Sequence, residues 1–131
     1  MKTENIKFKA KRLDNGEWII GSFVVMKIPA LSKTTIGIVA AGGATLHEID
    51  PSTVCQFTGE KDMRGKEIYI GDIISNLETG NVVEVVWNDK MKMLDCKFLN
   101  GVKCCFDIPF GTFVARYHRI VVLRSKFDKE K

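Results

Sequence analysis

Long apolar runs are missing from this 131-residue chain. None approaches the roughly 18 residues that a helix needs to cross a bilayer. The opening Met1-Lys2-Thr3-Glu4 leads into alternating lysines and apolar residues in place of a signal-peptide core, so a soluble, cytoplasmic protein is expected. Histidine is scarce. His47-Glu48-Ile49-Asp50-Pro51 begins like a zinc-protease motif, but no second histidine follows four residues on, and Pro51 would stop the helix that motif requires. His118 lies between Tyr117 and Arg119 with no nucleophile paired to it by sequence. Gly65-Lys66-Glu67 lacks the hydroxyl residue that would hold Mg²⁺ after a phosphate-cradling loop. Gly21-Ser22-Phe23 is no nucleophile elbow, and the acidic residues follow no spacing that assigns acid and base roles. These absences argue against an enzyme, and no cofactor is expected.

The four cysteines, Cys55, Cys96, Cys104 and Cys105, have no closed-site spacing either. Adjacent strand residues point to opposite faces, so Cys104-Cys105 cannot imitate Cys-x-x-Cys. Free thiols in a reducing compartment are expected, with no stoichiometric zinc. Helical signals are equally sparse: no segment sustains an i, i+3, i+4, i+7 apolar stripe over three turns, and only Pro51 to Val54 is expected to form a single turn.

What is present reads as short strands and turns. Ile6 to Arg12 alternates with period two, Asp14-Asn15-Gly16 supplies a turn, and Glu17 to Val25 returns, which makes a hairpin. Pro29 and Ser32 to Thr35 mark a loop. Ile36 to Val39 and Leu46 to Ile49 then flank Gly42-Gly43 as a second, small-residue hairpin. Val82 to Trp87, the turn Asn88-Asp89-Lys90, and a return strand with Leu94, Cys96 and Phe98 inward and Asp95 and Lys97 outward form a third. Asn100-Gly101 is expected to turn into a strand over Lys103 to Ile108, followed by strands over Thr112 to Tyr117 and Ile120 to Leu123. An apolar content of 45% suits one globular unit of this length. The expected fold is all-β: a small SH3-like or coiled-sheet barrel built from hairpins, with an N-terminal hairpin and little helix. It is one domain over residues 1–131, with a hairpin region at 4–50, a barrel region at 51–125 and a tail at 126–131.

The most informative stretch is Gln56 to Ser75, QFTGEKDMRGKEIYIGDIIS. Gly59, Gly65 and Gly71 recur every six residues, each able to take positive φ. Asp62-Met63-Arg64-Gly65 is a turn in which the aspartate can accept backbone N–H bonds, and Gly71-Asp72 bends the chain into Ile73-Ile74-Ser75. Thr58, Gly59, Asp62, Gly65, Tyr69, Gly71 and Asp72 are therefore read as a structural turn motif.

Cys55 to Ile74, with Thr58-Gly59, Asp62, Gly65, Ile68-Tyr69 and Gly71-Asp72-Ile73, resembles the YopX protein family of bacteriophages and prophages. Glu48 to Val54 and the opening Ile6-Lys7-Phe8-Lys9-Ala10, with Trp18 behind it, extend the resemblance over most of residues 4 to 88. Two departures stand out: Glu60 occupies a position where relatives usually carry leucine, and Tyr117 to Val122 lacks the Gly-Asn-Ile-like ending, so the resemblance does not place the last strand. The resemblance implies a single YopX-like domain, a phage or prophage setting and the cytoplasm of a bacterial host. It implies no catalytic residues.

Charge is unevenly distributed. Residues 1–13 hold five basic and one acidic residue, residues 14–110 nine and thirteen, and residues 111–131 six and two. Lys7, Lys9, Lys11, Arg116, Arg119 and Arg124 are thus candidate anion contacts. Three functions compete. The first is a non-enzymatic accessory protein acting through contacts with host or phage proteins and with its own copies. The second is a nucleic-acid-binding module using the basic ends, with Phe8, Trp18 and Trp87 as stacking residues or, more simply, core. The third is capture of a small anion such as a nucleotide. A homo-oligomer is expected because Val82 to Trp87 and Cys104 to Phe110 are apolar on both alternations, so both faces need cover. Any nucleic-acid binding is expected to be weak and to fall steeply with salt, since the centre of the chain is net acidic. Fluorescence anisotropy checks this, and tight, sequence-selective binding at physiological salt would contradict it.

Overall fold

The computed structural model describes residues 2–40, 42–100 and 108–128. The chain divides into two compact units, Met1–Phe57 and Thr58–Lys131.

In the first unit, β1 (Phe8–Lys11), β2 (Trp18–Ile28), β3 (Lys33–Ala40), β4 (Leu46–Glu48) and the start of β5 (Cys55–Lys61) hydrogen-bond in the order β4-β3-β2-β1-β5. The expected first hairpin is present. Gly16 takes φ +71°, Asn15 Oδ1 accepts the Glu17 N–H, and the Arg12 N–H donates to the Glu17 carbonyl. Ala10, Ile19, Ile38 and Ile49 form the core of this unit, with Phe8, Ile36, Ala40 and Val54 packed on it. Gly21 is required where β2 meets β3, because a Cβ there would collide with the Val39 carbonyl. The second hairpin also forms, pairing Gly37 with Glu48 and Val39 with Leu46. The turn expected at Pro51 to Val54 is a 3-10 turn over Pro51–Thr53, capped by Asp50, whose side chain accepts the Ser52 N–H. Thr53 Oγ1 then accepts the Lys11 N–H at 2.8 Å, which ties this turn to β1.

The loop expected at Ser32 to Thr35 is mostly strand. β2 runs on to Ile28, and a 3-10 turn at Pro29–Leu31 with Ser32 at φ +47° reverses the chain into β3 at Lys33. Proline stops the ladder, and β-branched Thr34 and Thr35 resume it.

The second unit contains the remainder of β5, then β6 (Glu67–Tyr69), β7 (Asp72–Asn76), β8 (Val82–Asn88), β9 (Met93–Phe98), β10 (Ile108–Pro109), α1 (Phe110–Arg116) and β11 (Ile120–Ser125). β6 hydrogen-bonds to β5, and a five-stranded antiparallel sheet has the order β10-β9-β8-β7-β11. Its core is Ile68, Ile74, Val83, Val85, Cys96, Phe110, Phe113, Ile120 and Val122. The all-β expectation holds in both units.

Three local readings change. Thr112 to Tyr117, expected as a strand, lies largely in α1. Phe110, Phe113, Val114 and Tyr117 follow the i, i+3, i+4, i+7 spacing for two turns, and these face the core while Gly111, Thr112, Ala115 and Arg116 are exposed. Asp95, expected to face out, is 6% exposed, and the Asn88 amide donates to its Oδ2 at 2.7 Å. Trp87 shares the parity of buried Val83 and Val85 but ends the strand, 47% exposed, with its Nε1–H donating to Asp89. The expectations placed on Gly101 to Asp107, including Cys104 and Cys105, lie outside the described residues.

Asp62 fastens the β5–β6 turn to the last strand. Its Oδ1 accepts the N–H groups of Arg64 and Lys66, and its Oδ2 accepts that of Val122 in β11. Met63 N–H also donates to the Ile120 carbonyl, and the Arg64 guanidinium to the Val122 carbonyl. Burial by itself raises the Asp62 carboxyl. The backbone donors of Val122, Lys66 and Arg64, with the Arg64 charge, outweigh it and hold the group below its ordinary value. Because the folded value is depressed, the stabilisation is complete above the unfolded carboxylate value of about 3.9 and is lost as pH falls from there through the folded value. Asp62→Asn places an amide against three N–H donors and is expected to lose about 3 kcal/mol at neutral pH. It should also flatten the acid limb of stability in urea titrations. An acid limb identical to that of the wild type would refute the assignment.

Candidate interaction surface

The seven turn-motif residues lie within β5, β6, β7 and their connections, and they build the fold. Thr58 Oγ1 donates to the Ile68 carbonyl at 2.7 Å and accepts the Glu60 N–H. Gly59, Gly65 and Gly71 all have positive φ. Asp72, 1% exposed, accepts the Tyr69 N–H at 2.8 Å, and the Tyr69 hydroxyl donates to Glu67. Gly71 N–H reaches the Val85 carbonyl while the Gly71 carbonyl accepts from Lys126, so the bend is held from both sides. A motif whose polar atoms are turned toward its own backbone organises strands and offers little to a ligand.

The six basic candidates divide three and three between the units. In the first, Lys9 and Lys11 place their ammonium groups 4.5 and 5.3 Å from the centre of the Trp18 ring, and Lys7 lies 4.8 Å from that of Phe57. Alternation along β1 puts the three lysines on one face, and cation–π contact draws each toward an aromatic ring of its own unit. Phe8 packs against Phe23 with ring centres 5.6 Å apart. In the second unit, Arg116 lies 5.7 Å from the Tyr117 ring. The Arg119 carbonyl accepts the Leu77 N–H, and Arg124 pairs with Ile73 across β11 and β7, its Nη1 3.5 Å from the Ser125 carbonyl. Of the three candidates read as stacking or core residues, Trp87 is exposed while Phe8 and Trp18 are half-buried.

A hollow of about 230 Å³ in the second unit is lined by Glu60, Lys61, Asp62, Tyr117 and His118 among others, below the range of about 300–1,000 Å³ usual for small-molecule sites. Its one buried acid, Asp62, is committed to three backbone donors. Among the described residues, no three His, Cys, Asp or Glu side chains are grouped so as to hold a metal ion.

The exposed apolar surface that stands out is the far half of the β2–β3 pair. The two strands pair continuously from Gly21–Ala40 to Ile28–Lys33. β1 accompanies β2 only as far as the Phe8–Gly21 pair, and β4 accompanies β3 only over Gly37 to Val39. Ile36 is still held by the Ile49 N–H, so beyond those limits Ser22–Ile28 and Lys33–Thr35 form a two-stranded ribbon, a structure that is marginal in water without further cover. The ribbon carries Phe23, 36% exposed, Val25, 50%, and Met26, 45%, with Leu31 at its tip, 68%. Phe23 and Val25 lie on one face and Met26 on the other, so both faces are apolar. The sequence reading ended β2 at Val25 and missed this. The signal was Val24-Val25-Met26 running on to Ile28 before Pro29, with two threonines shortly after the turn.

A family model described as YopX protein matches residues 7–113. No curated protein matches the chain. The matched span holds β1 to β10 and the first residues of α1, and it stops before Tyr117 to Val122. With more than half its length matched, the chain belongs to the YopX protein family.

Proposed function

We propose that this chain is a non-enzymatic accessory protein of a phage or prophage, working in the cytoplasm of the host cell through protein–protein contacts that include its own copies. The β2–β3 ribbon is the contact surface. The observation that carries this reading is the ribbon itself, where apolar side chains are exposed on both faces of a strand pair that neither β1 nor β4 covers. Such an element is costly in water and is stabilised when a partner covers it.

Two further features support contact over catalysis or anion capture. The buried carboxylates Asp62 and Asp72 bind backbone N–H groups of their own unit. Lys7, Lys9 and Lys11 are seated on Phe57 and Trp18, which reduces their reach toward a phosphate.

Light scattering at micromolar concentration, without added ligand, tests the reading. The wild type is expected at a multiple of 14.7 kDa. The double variant Val25→Lys, Met26→Lys is expected at the mass of one chain with its thermal unfolding little changed, because both side chains are about half exposed already. A wild-type mass of 14.7 kDa overturns self-association.

A further inference from the structure

Resting on the reading that the ribbon is a contact surface, we propose how it is used: the free edge of β2 pairs antiparallel with the same edge of a second copy, in a register centred on Val25. The direction of the backbone groups sets this register. In an antiparallel ladder, successive residues aim their N–H and C=O groups alternately at one neighbour and the other. In β1 and its flanks, the Lys7 and Lys11 carbonyls accept N–H groups from Phe57 and Asp50, and the Lys11 N–H donates to Thr53, so Lys7, Lys9 and Lys11 face away from β2. Arg12, of the opposite parity, donates to the Glu17 carbonyl. Phe8 and Ala10 therefore face β2, and their register partners Gly21 and Ile19 face β1.

The same parity continues along β2. Phe23, Val25 and Lys27 aim their N–H and C=O groups to the side that β1 occupied, while Ser22, Val24, Met26 and Ile28 aim theirs at β3. The other strand agrees: Val25 is opposite Ile36, and the Ile36 carbonyl is turned away from β2 to accept the Ile49 N–H. Beyond Gly21, no described residue pairs with this side of β2. Three residues with aligned donors and acceptors are thus presented as a template for one more strand.

A second copy fits that template in one register better than in its neighbours. A two-fold axis at Val25 sets Val25 opposite Val25 and Phe23 opposite Lys27 in both directions, so all three outward residues meet outward residues and every presented N–H and C=O is paired. An axis at Val24 or Met26 leaves one of the three without its counterpart. An axis at Lys27 opposes two like charges, which is destabilising. The Val25-centred register instead brings the only charge of Ser22–Ile28 beside the Phe23 ring of the second copy, the cation–π pairing that this unit already uses at Trp18 and Phe57. The contact is isologous and closes on itself as a dimer.

Three variants of the full chain test the pairing. Val25→Pro removes an outward N–H and leaves the β2–β3 bonds intact, so it is expected to run at half the mass of a wild-type dimer with unchanged far-ultraviolet dichroism. Val25→Cys brings two Cα atoms to about 5.5 Å, within disulfide reach, and is expected to cross-link fully under mild oxidation. Lys27→Cys, displaced from its own copy by four residues across the axis, is expected to cross-link no more than the wild type with its native cysteines. An oligomeric wild type in which Val25→Cys fails to cross-link, or in which Lys27→Cys links as readily, overturns this edge and register while leaving the broader contact reading standing. A monomeric wild type overturns both.

Discussion

The Asp62 carboxylate is the fastening on which the second unit depends. A turn of four residues and a strand some sixty positions later have no chain-entropy reason to meet, and closing so long a loop must be offset by contacts formed on arrival. One ionised side chain supplies them by accepting N–H groups from Arg64, Lys66 and Val122. The turn orients the acceptor, Gly65 at φ +83° lets the turn close, and the strand arrives with a donor at the right height. Ile120 and Val122 are then placed in the apolar core beside Ile68 and Phe113, so the polar fastening and the hydrophobic burial reinforce one another.

The first unit is organised by a mismatch of strand lengths. β2 has eleven residues and β1 four, so a sheet that is covered near Ala10, Ile19 and Ile38 thins to a ribbon at Val25. Gly21 stands at the change, its missing side chain allowing the Val39 carbonyl to approach. Short neighbours protect the core and leave a long strand with a free edge. Stability near Ala10 and exposure near Val25 have the same origin in the sequence, the different distances between turn residues.

Basic residues play a quieter part than their number suggests. Lys7, Lys9 and Lys11 cover aromatic rings with their ammonium groups. The charge imbalance at the start of the chain is in part a packing device.

The sequence by itself determined the strand class, the hairpin turns at Asn15-Gly16 and Asn88, and the role of the glycine–aspartate stretch, because turn chemistry is local: φ and side-chain-to-backbone bonds depend on residues within three or four positions. It also carried the family, through that same stretch. Tertiary structure alone decided that Phe110 to Arg116 is helix, since two turns of apolar stripe are too short to outweigh strand propensity until Phe110 and Phe113 find a core to enter. It decided that Asp95 is buried, since the amide that satisfies it comes from Asn88 across the hairpin. It decided the exposed ribbon as well: Phe23, Val25 and Met26 read as an ordinary strand in one dimension, and only the early ending of β1 and β4 beside them leaves an edge and two apolar faces in the open.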